Sequence, residues 1–489
     1  RSLGGPLYHR YQLTNNSINM EQAKLSLRDK PAARWGALTI ISLTMFFAYM
    51  FVDVLSPVKT LVETELGWDS TVFGLYGGSE FFLNVFVGFL ILAGIILDKM
   101  GVRFTALLSG SLMVIGALIK VYALSATFRN GGPGYDAINS FSSFIHGITG
   151  WNLPPTALCA CLGFMLFGCG TEMAGVTVSR AIVKWFKGKE MALAMGIEMA
   201  LARFGVFAIF RLSPWLAKEF ESVQAPVIFC ALLLCIGLML YVVYYFMDKA
   251  LDKDLEGEEE EAEEPFKFSD LGKVFGSGVF WVVAILCVLY YSAIFPFQKF
   301  ATEMLHYKVG FETTEAAAYF SYFPIGAMIV TPILGFYLDR KGKGATMLIL
   351  GSILMIICHL IFALYPFVPG STNSTIVAMS AIVLLGISFS LVPATLWPSV
   401  PKLIDNKVLG SAYSAIFWIQ NVGLMSVPII IGSILDSVNK GVPEGQPKDY
   451  TLAMLVFASF GVIALLMSLF LKAVDSKKHY GLELPNVKQ

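Results

Sequence analysis

The chain has 489 residues, 56% of them hydrophobic and 14% charged, with 39 Phe and a mean hydropathy of +0.68. Soluble domains carry about a quarter charged residues, so a soluble globular fold is excluded. The formal net charge is zero, so the overall balance of sign selects no partner. Strand-like alternation is also absent, which excludes a membrane β-barrel and leaves a polytopic helical membrane protein.

Residues 1–19, ahead of Met20, are polar and read as upstream or added sequence. With them, residues 1–33 form a tail before the first span. Twelve apolar stretches follow, at about 35–57, 72–97, 104–125, 155–182, 190–215, 224–247, 276–298, 314–338, 344–366, 375–400, 409–435 and 450–472. Each is near the ~20 residues that carry a helix across ~30 Å of hydrocarbon. Lys and Arg crowd into the two tails and the loops after spans 2, 4, 6, 8 and 10, and are sparse in the opposite loops. The positive-inside bias then places both termini in the cytoplasm. All seven Cys fall within spans as small packing residues, with no metal-ligand spacing.

Span 1 carries Asp53 and span 2 carries Glu80, both toward the outer end. Span 2 closes on GIILDKMGVR, Gly94 to Arg103, in which Gly94 precedes Asp98 by four residues and Gly101 follows it by three. Lys120 and Arg211 lie near span ends and are expected to snorkel. The outer loop from about 125 to 155 is long and rich in Gly and Ser.

Spans 4 and 5 carry Glu172 and Arg203. Arg203 is thirteen residues from Glu190 at the cytoplasmic start of span 5, or about 20 Å at ~1.5 Å per residue. Glu172 is twelve residues back from Lys184 at the cytoplasmic end of span 4, about 18 Å. The two opposite charges therefore stand at nearly equal depth. A buried ion pair seldom improves on apolar packing, and ions at this depth are functional by default. A carboxylate and a guanidinium across a cavity suit a zwitterion, the first taking an ammonium and the second clamping a carboxylate. Glu198, five residues before Arg203, is about 140° away around the helix. It reads equally as a proton site, a second substrate contact or a packing acid.

After span 6, residues 249–273 are charged, mostly acidic, and read as a solvated cytoplasmic linker. It divides the chain into a six-span bundle at 34–248 and another at 274–474, with a cytoplasmic tail at 475–489. Span 7 reads YYSAIFPFQKF, and Pro296 is expected to kink it as an outer gate. The loop after span 8, GFYLDRKGKG, repeats the earlier one with Gly335, Asp339, Arg340 and Gly342. Such a loop suits charge pairs and helix-dipole contacts that lock a short turn. His359, alone on span 9, reads as a packing residue. Pro393, Pro398 and Pro401 are expected to break span 10, while Tyr290, Tyr291, Trp397, Trp418, Gln420 and Asn421 are candidates to line a cavity, the Gln–Asn pair facing a partner or water.

A single G-x-x-x-D would say little, but its recurrence at equivalent places in two six-span halves resembles the major facilitator superfamily. The resemblance implies an all-α membrane protein, twelve transmembrane helices in two pseudo-symmetric six-helix bundles around a midplane site. KWFKGKEMALAMGIEMALARFG, LYYSAIFPF, ATLWPSV and LGSAYSAIFWIQNVGL further resemble the branch that holds the lysosomal dipeptide uniporters of animals and their bacterial relatives. The resemblance spans about residues 35–474. It implies that Glu172 and Arg203 hold a dipeptide's amino and carboxyl ends, and that Asp53 matches an acidic position on helix 1. Glu198 departs from an uncharged Gln and Glu80 from an aromatic residue, so the extra acids admit cationic side chains or proton coupling. FFAYMFVDVLSP lacks the helix-1 Glu-x-x-Glu-Arg signature of the proton-coupled peptide transporters.

The expected function is dipeptide transport by alternating access, as uniport or with proton coupling. The alternatives are an organic anion exchanger, with Glu172 as the resting counter-ion of Arg203, and a non-transporting sensor. No nucleophile–base, metal or phosphate-cradling signature points to an enzyme. The expected partners are a small-molecule substrate and the lipid bilayer, with no cofactor, metal or nucleic acid and nothing to indicate an accessory subunit. Short loops without a sorting signal favour a bacterial inner membrane.

Overall fold

A computed structural model describes residues 26–187, 189–255, 267–443 and 446–485. Most of the N-terminal tail and the acidic core of the linker lie outside the described residues.

The first half begins with α1 (Pro31–Val52) and α2 (Lys59–Leu66), followed by α3 (Ser70–Ser79), α4 (Phe82–Phe86) and α5 (Phe89–Ala123). Then come α6 (Tyr135–Thr149), α7 (Pro155–Phe186), α8 (Met191–Glu219) and α9 (Gln224–Asp254). The second half holds α10 (Gly278–Met304), α11 (Thr313–Phe320), α12 (Tyr322–Lys341), α13 (Gly344–Leu364), α14 (Thr372–Leu403), α15 (Leu409–Val438) and α16 (Thr451–Lys478). No strand occurs among the described residues.

Among the described residues, eleven helices are long and apolar enough to cross a membrane, against twelve expected. The difference lies in span 2, which is pieced together from α3, α4 and the first part of α5. The chain reverses within α5 at Gly101, whose φ of 77° is left-handed backbone that favours glycine. Asp98 before it pairs with Arg180 at 3.1 Å, and Arg103 after it pairs with Asp252 at 2.6 Å, so the turn is stapled to α7 and α9. The equivalent Gly342 has a φ of 72°. There the backbone N–H groups of Lys343 and Gly344 donate to the carbonyls of Glu483 and Leu482, and the C-terminal strap takes the part of the staple. The face carrying both chain ends and these turns is called the inner face below.

The expected breaks in span 10 do not appear. α10 runs through Pro296, and α14 through Pro393, Pro398 and Pro401, without interruption. Neighbouring groups take up carbonyls that proline leaves without a donor. Pro401 frees the carbonyl of Trp397, and Tyr413 Oη donates to it at 3.2 Å. The breaks fall elsewhere: at 53–58 in span 1, at 80–81 and Gly88 in span 2, and at Ser321 in span 8. The 125–155 loop contains α6, an amphipathic helix with Phe144 and Ile148 exposed.

Contacts between the halves gather at the outer face. A Cβ on Gly74 would come within 2.2 Å of the Pro428 carbonyl, and one on Gly78 within 2.2 Å of the Met425 carbonyl. Two glycines one turn apart thus let α3 lie backbone-to-backbone on α15, the packing that replaces hydrophobic driving force inside a bilayer. The N-terminus of α3 is capped from both halves. Asp69 accepts from Val72 N at 2.8 Å, and Asp436 of α15 accepts from Ser70 N at 3.1 Å and Thr71 N at 2.6 Å. Beside it, Lys59 donates to Glu303 at 2.5 Å, Lys448 lies 3.3 Å from Glu303 and also pairs with Glu63, and Tyr450 donates to Glu303. Lys59 and Glu303 are essentially inaccessible, so this seal is dry. The structure is the outer-closed arrangement of a two-bundle fold.

Candidate functional site

The candidate charges meet where α1, α7 and α8 face Phe295 of α10 and Phe389 of α14. Tyr49, in the last turn of α1 before the chain breaks at Asp53, lies within electrostatic reach of Arg203, Glu198, Glu172 and Glu80. Helices α7 and α8 bring Glu172 and Arg203 to this point from neighbouring spans. Gly205 lets α8 approach α1 closely, since a Cβ there would fall 2.5 Å from the Phe46 carbonyl.

Glu172, Glu198 and Arg203 are all partly exposed, and no ion pair within 4.0 Å joins Arg203 to either acid. An ion pair cementing spans 4 and 5 is therefore not what holds these charges. Arg203 instead reaches across to the second half, its guanidinium 4.8 Å from the ring centre of Phe389 and 5.7 Å from that of Phe295. Cation–π contacts of this kind are worth about 0.5–2 kcal/mol and leave the guanidinium N–H groups free to bind. Tyr291 extends the aromatic wall, stacked on Phe295 at 5.6 Å, and its hydroxyl accepts from Trp397 Nε1 at 3.1 Å.

Asp53 caps α1 at the outer end of the site and belongs to the closure between the halves. It accepts from Lys299 Nζ at 3.0 Å and Gln298 Nε2 at 2.5 Å, both on α10, and from Ser56 Oγ at 3.2 Å. Glu80 lies at the break between α3 and α4, 5% exposed, with its Oε2 lacking any hydrogen-bond partner. Tyr49, Asp53, Glu80, Phe295, Pro296 and Lys299 line one small cavity of about 40 Å³. A larger cavity, about 260 Å³, lies at the inner face by Lys273 and Asp405, away from these charges.

Other candidates turn away. Tyr290 is fully buried and donates to the Leu348 carbonyl at 2.5 Å, because the residue next to Tyr291 on a helix points about 100° round from it. Gln420 is buried and accepts from Cys287 Sγ at 3.1 Å; Asn421 is buried beside it. His359 packs between Phe297 and Phe457. Arg211 is exposed and donates to Ser321 Oγ at 2.9 Å, tying α8 to the start of α12. Lys120 does not snorkel. It is wholly buried with its ammonium 4.2, 4.6 and 4.8 Å from the ring centres of Phe51, Phe164 and Tyr76. Rings from three different spans, two of them (Tyr76 and Phe164) stacked on each other, offered it an apolar cage that hydropathy does not register.

Sequence reasoning missed Tyr49, Phe295, Phe389 and Lys299. Lys299, in FPFQKF, carried a signal: a cation within a span, close after a proline.

Residues 41–428 match the model of the Major Facilitator Superfamily. Among curated proteins, the chain is 30% identical over 332 residues to the lysosomal dipeptide transporter MFSD1 of Danio rerio, covering 66% of this chain and 68% of that protein. It is 27% identical over 416 residues to the protein of that name from Homo sapiens (83% and 81%) and 26% over 474 residues to that of Mus musculus (94% and 91%). Among solved structures, a variant of the nucleoside transporter NupG superposes with a TM-score of 0.66 at 12% identity, covering 88% of this chain and 99% of that one. A bacterial homolog of the human lysosomal transporter Spinster, inward-facing and occupied, gives 0.65 at 14% identity, covering 90% and 97%. At such identities these two structures speak for the fold alone.

Proposed function

The chain belongs to the Major Facilitator Superfamily, and on that premise we propose that its central site binds dipeptides, which it moves across the membrane by alternating access. One observation carries the reading: Glu172 and Arg203, opposite charges at one depth, share a site between the bundles without pairing to each other. A zwitterion of dipeptide length supplies each with the partner it lacks. Its ammonium meets Glu172, its carboxylate meets the fork of Arg203, and its side chains face Tyr49 and the wall of Phe295, Phe389 and Tyr291. Binding involves no covalent chemistry. The named relatives, called dipeptide transporters, support this cargo.

The cycle is a rocking of two bundles about that site. With both chain ends on the cytoplasmic side, as the charge bias implies, the outer seal is shut here and the substrate leaves inward. Acids outnumber the single free cation around Tyr49, which disfavours an organic anion as cargo. Counterflow into liposomes loaded with unlabelled dipeptide tests the reading. Labelled dipeptide should enter, free amino acids and dicarboxylates should not compete, and exchange of dicarboxylate alone would overturn it.

A further inference from the structure

The connection from span 3 to span 4 crosses the outer face as α6, whose sequence is YDAINSFSSFIHGIT. At about 100° per residue its side chains fall into three sectors. Tyr135, Ile138, Ser142 and Ile145 share about 80° of the helix and turn inward. Ser142 is buried, and the other three pack on the core. Asp136, Asn139, Ser143 and His146 form a polar sector, all of them exposed. Ala137, Phe141, Phe144 and Ile148 fall within about 60° of one another. This third sector is apolar yet open: Phe141 is 46% exposed, Phe144 62% and Ile148 70%. Phe141 and Phe144 stack on each other, ring centres 6.3 Å apart, which holds the stripe together.

The helix is fixed to the rim of the first bundle at two places. At its start, Tyr122 of α5 donates to the Pro133 carbonyl at 2.9 Å, and Phe128 lies 5.3 Å from the ring of Tyr122 and 5.4 Å from that of Tyr135. Further along, Ser142 Oγ donates to the Leu153 carbonyl, and His146 Nδ1 lies 3.1 Å from the Trp151 carbonyl, just ahead of Pro155 where α7 begins. So α6 lies across the outer ends of α5 and α7, at the level where both spans leave the hydrocarbon. Exposed apolar side chains continue beneath it. Leu118 of α5 and Leu162 of α7 stand about 8–11 Å inside their helix ends at ~1.5 Å per residue.

The side of α6 directly away from the bundle is polar, with Asp136, Ser140 and Ser143. A protein arriving from solution would meet that side first. The apolar stripe stands about 110° to one side of the inward sector. A helix along the rim turns one lateral sector to bulk water and the other to the leaflet, and the apolar one belongs to the leaflet. We propose that α6 is an interfacial helix whose Phe141, Phe144 and Ile148 insert among the lipids of the outer leaflet, mooring the first bundle there by its rim. Helices of this kind bury an apolar face about 5–10 Å into the boundary between headgroups and acyl chains. Because α6 contains no Lys or Arg, it recognises the apolar layer beneath the headgroups and not their charge. Trp151, exposed just past its end, suits the same boundary. The mooring is independent of the cargo.

The test places a spin label singly at Phe144→Cys, Ile148→Cys, Asn139→Cys or Ser143→Cys of the full chain in phosphatidylcholine vesicles. Any signal from the parent's own cysteines, all within spans, is subtracted. Dissolved oxygen gathers in hydrocarbon, whereas a nickel chelate stays in water. Labels on the stripe should collide more with oxygen than with the chelate, and the ratio should reverse on the polar sector. Mixing in anionic phosphatidylglycerol should leave both ratios unchanged. Chelate access on the stripe equal to that on the polar sector would overturn the proposal and leave the stripe in water. Shielding of the stripe from both reagents would also overturn it, in favour of contact with a second copy of the chain. Insertion seen only with phosphatidylglycerol would refute recognition of the apolar layer alone.

Discussion

Replacing Glu303 with Gln should unlatch the outer face. Glu303 is completely buried, takes a hydrogen bond from Lys59 Nζ at 2.5 Å and another from Tyr450, and lies 3.3 Å from Lys448. Glutamine keeps the volume and one accepting oxygen, but leaves Glu63 as the counter-charge for two ammonium groups in a dry seal. Removing one partner of a buried ion pair costs about 3–5 kcal/mol. In the outer-open arrangement both lysines stand in water, so the penalty falls almost wholly on the closed one. If the amide recovers half of the smaller figure, about 1.5 kcal/mol remains, a shift of more than tenfold in population. The assay is the distance distribution between spin labels at Lys218→Cys and Glu315→Cys, both exposed at the outer ends of α8 and α11. Glu303→Gln should move weight to the longer distances. A distribution superimposable on the parent's would show that the glycine-backed contact of α3 with α15 closes the face without help from the ion network.

Phe389→Leu removes the nearer of the two rings beneath Arg203, about 0.5–2 kcal/mol of guanidinium positioning. Calorimetry should then show dipeptide binding weakened by about twofold to thirtyfold. At the inner face, the ion pair with Lys189 holds the Asp29 carboxyl below its ordinary range, and hydrogen bonds from its own backbone and from Arg34 do the same for Glu190. A carboxylate depressed in the folded state stabilises above its unfolded pKa and loses that contribution as pH falls through the folded value. The clasp of residues 26–34 onto α8 should therefore persist at pH 5 and loosen below about pH 4. Hydrogen exchange of those residues against pH measures this, and loosening between pH 5 and 7 would contradict it.

Much of the architecture was legible because the bilayer imposes a simple code. Apolar length marked the crossings, and the repeated G-x-x-x-D loop marked two turns of left-handed glycine backbone at Gly101 and Gly342. What stayed hidden depends on pairings across long stretches of chain. Lys59 and Glu303 are 244 residues apart, and nothing local to either announces the other. Lys120 read as a snorkelling cation because its cage comes from three different spans. Prolines in span 10 signalled breaks that do not occur, and Tyr413 takes up the carbonyl freed by Pro401. Two of the actual breaks, at Asp53 and Glu80, fall where acids leave the helix to meet the opposite half or the cavity.

Ligand-induced thermal stabilisation tests the central claim most directly, using a panel of dipeptides, free amino acids and dicarboxylates on the parent, Glu172→Gln and Arg203→Ala. A ligand at a hundred times its dissociation constant adds about 2.7 kcal/mol to the folded state. The account predicts that dipeptides stabilise the parent, that free amino acids and dicarboxylates do not, and that each substitution removes the response. Stabilisation by dicarboxylates, strengthened rather than lost in Glu172→Gln, would contradict it and make Arg203 an anion site with Glu172 as its counter-ion.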